Sequence, residues 1–237
     1  MNSRVKVLLM TLLLFGCTAQ QIQSISDAIG LEEELTAEQV ASGLKEALVK
    51  GVTTGTQKVG KVDGYFKNPQ IKIPFPPDIQ KVENTLRDVG LGNEVDRFVK
   101  TLNRGAEEAA KEAKPVFVSA IKQMTIDDAW DILKGTDKEA ATNYLMRTTS
   151  DELRDKFSPI VKRALGQTNA TKYYSEIITR YNKIPMVEDV NPDLESYATE
   201  KAMEGLFFMI ASEEKKIRAN PSARTSDLLK KVFKEQD

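Results

Sequence analysis

Helix signals recur along most of this 237-residue chain, and they constrain its fold more than any other feature. Thr36 and Gln39 have the spacing of a capping box, in which side chains and backbone amides bond reciprocally at a helix N-terminus, and Thr136 with Glu139 repeats it. Between such signals, apolar residues return at helical intervals, with breaks about every 10–25 residues. We therefore predict an all-α protein, with a single domain of about nine or ten helices over residues 36–237.

One segment breaks the helical pattern. Ile71, Ile73 and Phe75 alternate as in a strand, but three prolines lie within the four residues 74–77. Proline fixes φ and lacks a backbone N–H, so the segment can form neither a helix nor a central strand. We predict a short extended arm over about residues 69–77, with its apolar side on its own domain or on a partner.

The N-terminus has the layout of an export signal. Arg4 and Lys6 are followed by an apolar run from Val7 to Phe15, which is shorter than the about 20 residues of a membrane-spanning helix. We predict a signal peptide over residues 1–16. An uncleaved apolar helix on a cytosolic protein is the alternative.

Cys17 follows this run directly and is the only cysteine in the chain. The sequence Leu14-Phe15-Gly16-Cys17 resembles the lipobox of bacterial lipoproteins, although Phe15 is larger than the residue usual there. The resemblance implies lipidation of Cys17, with residues 17–35 as a tether to the membrane. Thr18 differs from the aspartate associated with inner-membrane retention, which favours the outer membrane, facing the periplasm. An ordinary signal peptide ending beside a cysteine is the other interpretation.

Composition restricts the chemistry and the partners. The chain contains no histidine, which excludes Ser-His-Asp and Cys-His hydrolases and HExxH metalloproteases. Loss of residues 1–16 would leave 32 basic against 35 acidic residues, a balance that does not attract nucleic acid. We predict no catalytic motif, no metal site, no cofactor and no nucleic-acid partner.

Two polar clusters are candidate sites. The first is a candidate anion-binding or structural cluster near the C-terminus, formed by Glu213, Glu214, Arg218 and Arg224. Arg218 and Arg224 flank a proline turn, so their guanidinium groups are expected either to converge on a carboxylate or phosphate, or to brace the turn while Arg218 pairs with Glu214.

The second cluster comprises Asn103, Arg104, Glu107 and Glu108, within two turns of one predicted helix. The spacing of Arg104 and Glu108 predicts an i,i+4 ion pair. A structural role and a functional role both remain open.

The first predicted helix also carries small residues every fourth position. They are Gly43, Ala47, Gly51 and Gly55. Such a stripe allows another helix to approach closely, or it forms a groove for a partner helix or an acyl chain.

Three stretches together resemble a bacterial family known only as domain-of-unknown-function family 4197. They are Leu102–Glu107 leading into Met124–Leu133, then Ala140–Tyr144, and finally Ile217–Thr225. The prolines of the arm fit the same family. The resemblance implies an exported helical protein and assigns no activity or catalytic residue.

These observations favour a lipid-anchored, non-catalytic binding or structural module of the cell envelope. A carrier of an apolar ligand is the alternative, suggested by the small-residue stripe and by a predicted aromatic helix over residues 173–181. A carboxylate-based envelope hydrolase is third. A large cavity would favour the carrier, whereas a cleft with two facing carboxylates would favour the enzyme.

Overall fold

A computed structural model describes residues 36–88, 90–166, 174–175, 178–179, 182–183, 193–224 and 226–234, without the side chains of Asp78, Leu229 and Lys234. Its described α-helices are α1 (Ala37–Val59), α2 (Gln80–Asp88), α3 (Gly92–Ala110), α4 (Ala113–Gln123), α5 (Ile126–Lys134), α6 (Ala140–Gly166), α7 (Leu194–Ala219) and α8 (Asp227–Lys234). Short 3₁₀ helices occupy Pro77–Ile79 and Pro221–Ala223.

The predicted all-α class is confirmed, since these helices form one compact domain and no strand occurs in the described residues. Eight α-helices are described, slightly fewer than the predicted number. The predicted signal peptide, the tether and most of the predicted helix over residues 173–181 lie outside the described residues. Within that last segment, Tyr174 and Ile178 are buried. None of the described helices is long and apolar enough to cross a membrane.

The start of α1 is capped as predicted. Thr36 Oγ1 accepts the amide of Gln39 at 3.2 Å, and the side chain of Gln39 accepts the amide of Thr36 at 2.8 Å. The second predicted box is wrong, because α6 begins only at Ala140 and Thr136 does not cap it. Asp137 instead accepts the amide of Glu139 at 2.8 Å.

Helix α7 is the central element of the domain. It packs against α1, α3 and α6, while α4 packs on α1 and α6. Its residues Ala202, Leu206 and Phe207 are buried, and the ring of Phe207 meets that of Phe117 edge-on with centroids 5.7 Å apart. Burial on several faces explains why α7 carries apolar residues around most of its circumference.

The small-residue stripe of α1 faces the domain's own helices. A Cβ atom on Gly43 would lie 2.8 Å from Val232 of α8, and one on Gly55 would lie 3.3 Å from Ile210 of α7. At Gly51 the corresponding distance to Ile217 is 3.8 Å. The stripe therefore serves close helix packing, and the pocket beside Gly51 measures only about 20 Å³.

The proline-rich arm lies on its own domain. Ile71, Ile73 and Phe75 are buried, and the Phe75 ring is 5.2 Å from that of Phe98 on α3. Residues 69–71 form a turn rather than extended chain, so the extended part is shorter than predicted. The prolines keep this segment out of helical conformation, and its alternating apolar residues bury one side.

Candidate functional site

Glu214 is a buried carboxylate that caps a neighbouring helix. Its oxygens accept the amides of Ala141 at 3.0 Å and Thr142 at 2.8 Å, in the first turn of α6, and the Thr142 hydroxyl at 2.8 Å. These amides have no partner within their own helix, and the helix dipole also favours a negative charge at that end. Glu214 thus replaces the local cap predicted at Thr136.

Arg218 completes this cluster. Its Nε and Nη2 lie 3.0 Å and 2.9 Å from Glu214 Oε1, and Nη2 also donates to the carbonyl of Ile132 at 2.9 Å. The predicted pairing of Arg218 with Glu214 is therefore present. It connects α7 to the start of α6 and to α5 within a mostly buried region.

Arg224 is almost fully buried, with 2% of its surface exposed. Its nitrogens donate to the carbonyls of Ile217, Arg218 and Phe233, and its guanidinium lies over the Phe233 ring with Cζ 5.4 Å from the centroid. Carbonyls at helix C-termini lack intrahelical donors, so Arg224 satisfies the ends of α7 and α8. This arrangement supports a bracing role for Arg224 rather than a joint anion site with Arg218.

Glu213, the fourth residue of the C-terminal cluster, lies between two lysines. Its carboxylate is 2.6 Å from Lys58 Nζ and 2.9 Å from Lys216 Nζ. Burial by itself would raise the pKa of Glu213, but the hydrogen bonds from the two lysines outweigh it and lower the pKa. Glu213 therefore remains ionised and connects α1 to α7.

Replacing Glu213 with glutamine is expected to reduce the free energy of unfolding by about 1 kcal/mol at neutral pH. Because the pKa of Glu213 is lower in the folded protein than its ordinary value of 4.5, the ionised carboxylate stabilises the fold above pH 4.5. This stabilisation is lost as the pH falls and the carboxylate is protonated. The difference between the two proteins should therefore shrink below pH 4.5 in urea titrations followed by circular dichroism. Glu204→Gln, at an exposed ion pair on the same helix, is the control. A Glu213→Gln difference that persists unchanged in acid would contradict this account.

The second cluster anchors the loop that joins α1 to the 3₁₀ helix at Pro77. Asn103 is fully buried. Its side chain accepts the amide of Ile73 at 2.9 Å and donates to the carbonyl of Ile73 at 2.8 Å, as a neighbouring strand would. A second bond to the carbonyl of Val99, at 2.7 Å, fixes the side chain on α3. Asn103 therefore holds the arm in its extended conformation.

Glu107 performs a similar task one turn later. One oxygen accepts the amides of Tyr65 and Phe66, both at 3.1 Å, and the other pairs with Arg104 at 2.5 Å. Arg104 also binds Asp63 at 2.6 Å. Hydrogen bonds from Lys67 and Arg104 lower the pKa of Asp63, so the Asp63 carboxylate stays charged at neutral pH.

The predicted ion pair between Arg104 and Glu108 is wrong. Arg104 pairs with Glu107 and Asp63, whereas the exposed Glu108 pairs with Lys111 at 2.5 Å. The loop brings backbone amides and Asp63 to the buried side of α3, and Arg104 turns toward this larger group of charges. The spacing of residues within α3 did not show that Asp63 would lie beside Arg104.

A surface groove that the sequence did not reveal lies near Arg218. It measures about 730 Å³ and is bordered by the end of α5, the α5–α6 turn, the end of α7 and α8. We name it the lysine groove; its lining includes the side chains of Trp130, Leu133, Lys134, Asp137, Lys138, Lys215, Arg218 and Val232. Its residues come from distant parts of the chain, so no local pattern indicated it.

In the part of the chain that the structure describes, the acidic side chains of the two predicted clusters are bonded to the protein itself. No group of three or more Asp, Glu, Cys or His residues there is placed to hold a metal ion. The buried carboxylates Glu107 and Glu214 already accept several hydrogen bonds from the protein. In the observed geometry, both predicted clusters therefore stabilise the fold.

A comparison with protein-family models identifies the family of this chain. Residues 34–234 match the model of a family described as proteins of unknown function, DUF4197. No curated protein and no solved structure matches the chain. The matched range includes every described helix, and it confirms the resemblance carried by the three sequence stretches. The protein therefore belongs to family DUF4197.

Proposed function

We propose that this protein is a lipid-anchored, non-catalytic binding module of the cell envelope, held at the outer membrane and facing the periplasm. The observation that carries the anchor is the apolar run that ends in Leu14–Cys17, with Cys17 as the only cysteine of the chain. The family match begins at residue 34, so the proposed signal peptide and most of the tether precede the family domain.

The hydrogen bonds that the two polar clusters form within the protein support a non-catalytic role. Glu214 and Arg224 satisfy helix ends, while Asn103 and Glu107 hold a loop against α3. A general acid or base needs access to a substrate proton, and these buried groups are engaged with their own protein. We therefore expect the protein to act through its surface, by binding a partner or a ligand.

The two competing functions lack a supporting feature in the described residues. An apolar carrier needs an apolar cavity of about 300–1,000 Å³. The stripe on α1 leaves only about 20 Å³, and the larger lysine groove is lined by four cationic side chains, which do not suit a purely apolar ligand. A carboxylate hydrolase needs two accessible carboxylates across a cleft. Glu213 and Glu214 are instead held by lysines, backbone amides and an arginine.

Replacing Cys17 with serine is expected to abolish membrane attachment and labelling by palmitate, because serine has no thiol to acylate. Membrane fractionation and radiolabelled palmitate in the native host measure the two effects. Thr18→Ser, next to the cysteine, is the matched control and should remain labelled and membrane-bound. Unchanged labelling and attachment in the Cys17→Ser variant would refute the lipid anchor.

A further inference from the structure

The lysine groove combines an accessible volume with an excess of cationic side chains. Its volume of about 730 Å³ falls within the usual range of small-molecule sites, about 300–1,000 Å³. Four cationic residues line it against a single acidic one, Asp137. The mature chain as a whole has more acidic than basic residues, so this local excess is not a consequence of overall composition.

Two of the cations have no carboxylate partner among the described residues. Lys215 pairs with Glu139, and Arg218 pairs with Glu214. Lys134 and Lys138 are exposed and form no ion pair within the described residues. Two ammonium groups of the lining therefore remain available to a ligand.

Asp137, the single acidic residue of the lining, forms hydrogen bonds at the turn before α6. One oxygen of Asp137 accepts the amide of Glu139 at 2.8 Å, and the other accepts the side-chain amide of Asn143 at 2.7 Å. These bonds hold Asp137 at the turn before α6. Its carboxylate is thus not the partner of either free lysine.

The groove also has an apolar side. Trp130, Leu133 and Val232 line it, and Lys134 Nζ lies over the Trp130 ring at 4.4 Å from the centroid. Trp130 is partly exposed and combines a large apolar surface with a cation on its ring. The arrangement suits a ligand with an anionic head and an apolar body.

We propose that the lysine groove binds a small organic phosphate, with the phosphate between Lys134 and Lys138 and its apolar body against Trp130. A phosphate monoester carries a charge of about −1.5 to −2 at neutral pH. This charge balances two unpaired ammonium groups more fully than the single negative charge of a carboxylate ligand would. Lysine is also a common phosphate ligand that acts as a point charge. The proposal rests on the proposed binding role and not on the lipid anchor.

Trp130 is the only tryptophan of the chain, so its fluorescence reports directly on this groove. We expect phenyl phosphate to cause a saturable change in the emission of the full-length protein in nonionic detergent. Inorganic phosphate should bind more weakly, phenol should cause no saturable change, and added salt should weaken the binding of phenyl phosphate. Isothermal titration calorimetry gives the affinity independently of fluorescence.

The double variant Lys134→Gln/Lys138→Gln should bind phenyl phosphate at least about tenfold more weakly, a difference of about 1.4 kcal/mol. Lys162→Gln/Lys201→Gln removes two lysines elsewhere on α6 and α7 and should bind as the unmodified protein does. Lys134, Lys138 and Lys162 are exposed and Lys201 is partly exposed, so the circular dichroism of both variants should match that of the unmodified protein. Calorimetry is the deciding readout because Lys134 touches Trp130.

Three results would overturn this assignment. The first is the absence of phenyl phosphate binding to the folded protein. The second is an equal loss of affinity in both double variants. The third is a response only to phosphatidylglycerol vesicles or to poly-glutamate, which would identify an anionic surface or an acidic chain as the occupant. In each case Cys17→Ser still tests the anchor separately, so failure of the groove is distinguishable from failure of the proposed function.

Discussion

Replacing Glu214 with alanine is expected to lower the free energy of unfolding by about 3–5 kcal/mol, the usual effect of breaking a buried ion pair on one side. The variant would leave Arg218 without its carboxylate, and it would leave the amides of Ala141 and Thr142 without an acceptor. Guanidinium titrations followed by circular dichroism measure this change. Because α6, α7 and α5 all meet at this point, the loss affects the whole domain.

Two further variants separate this explanation from a general effect of losing a carboxylate. Glu139→Ala removes a more exposed carboxylate that pairs with Lys215 near the same helix start, and it should cost less than about 1 kcal/mol. Adding Arg218→Met to Glu214→Ala should recover part of the lost stability, because no unpaired guanidinium then remains buried. A stability loss in Glu214→Ala no larger than in Glu139→Ala would show that the cap and ion pair contribute little.

Replacing Gly64 with alanine is expected to destabilise the protein by about 3 kcal/mol or more, at the upper end of the usual overpacking range. A Cβ atom at this position would lie 2.4 Å from the carbonyl oxygen of Val59 and 2.6 Å from that of Lys58. These are backbone atoms at the end of α1, which cannot rotate away as a side chain can. The loop that Asn103 and Glu107 hold in place would have to shift.

Gly51→Ala is the matched control for this variant. There the new methyl group would make ordinary contacts, at 3.8 Å from Ile217 and 4.0 Å from Glu213. Alanine also favours the helix by about 1 kcal/mol relative to glycine, so this change should be neutral or stabilising. Thermal melting of the two variants compares them directly. Equal melting temperatures for Gly64→Ala and the unmodified protein would mean that the loop adjusts freely.

The sequence predicted the helical class because its signals are local. A capping box such as Thr36 with Gln39 involves residues three apart, and helical backbone hydrogen bonds join residues four apart. The proline-rich arm was predictable for the same reason, since proline restricts its own φ and removes its own donor. Only the length of the arm was overestimated, because residues 69–71 form a turn.

The partners of the polar residues were decided by tertiary structure. Arg104 had a suitable partner in Glu108 by spacing, but it binds Asp63, 41 residues away, and Glu107. Thr136 had a local capping partner, but Glu214, 72 residues from Thr142, caps α6 instead. A buried carboxylate such as Glu214 binds where several donors meet, and a guanidinium such as that of Arg104 binds where carboxylates meet. Both places depend on how the helices and the loop pack.

The lysine groove likewise combines residues that are close in sequence with residues that only the tertiary structure brings together. Lys134 and Lys138 stand four apart around a turn, yet their neighbours Lys215, Arg218 and Val232 come from the C-terminal part of the chain. Helical periodicity shows which residues face the core, but it does not show which helix covers them. The sequence by itself therefore determined the helices, the arm and the candidate lipidation site. Only the tertiary structure decided which charges are satisfied inside the domain and which remain available at its surface.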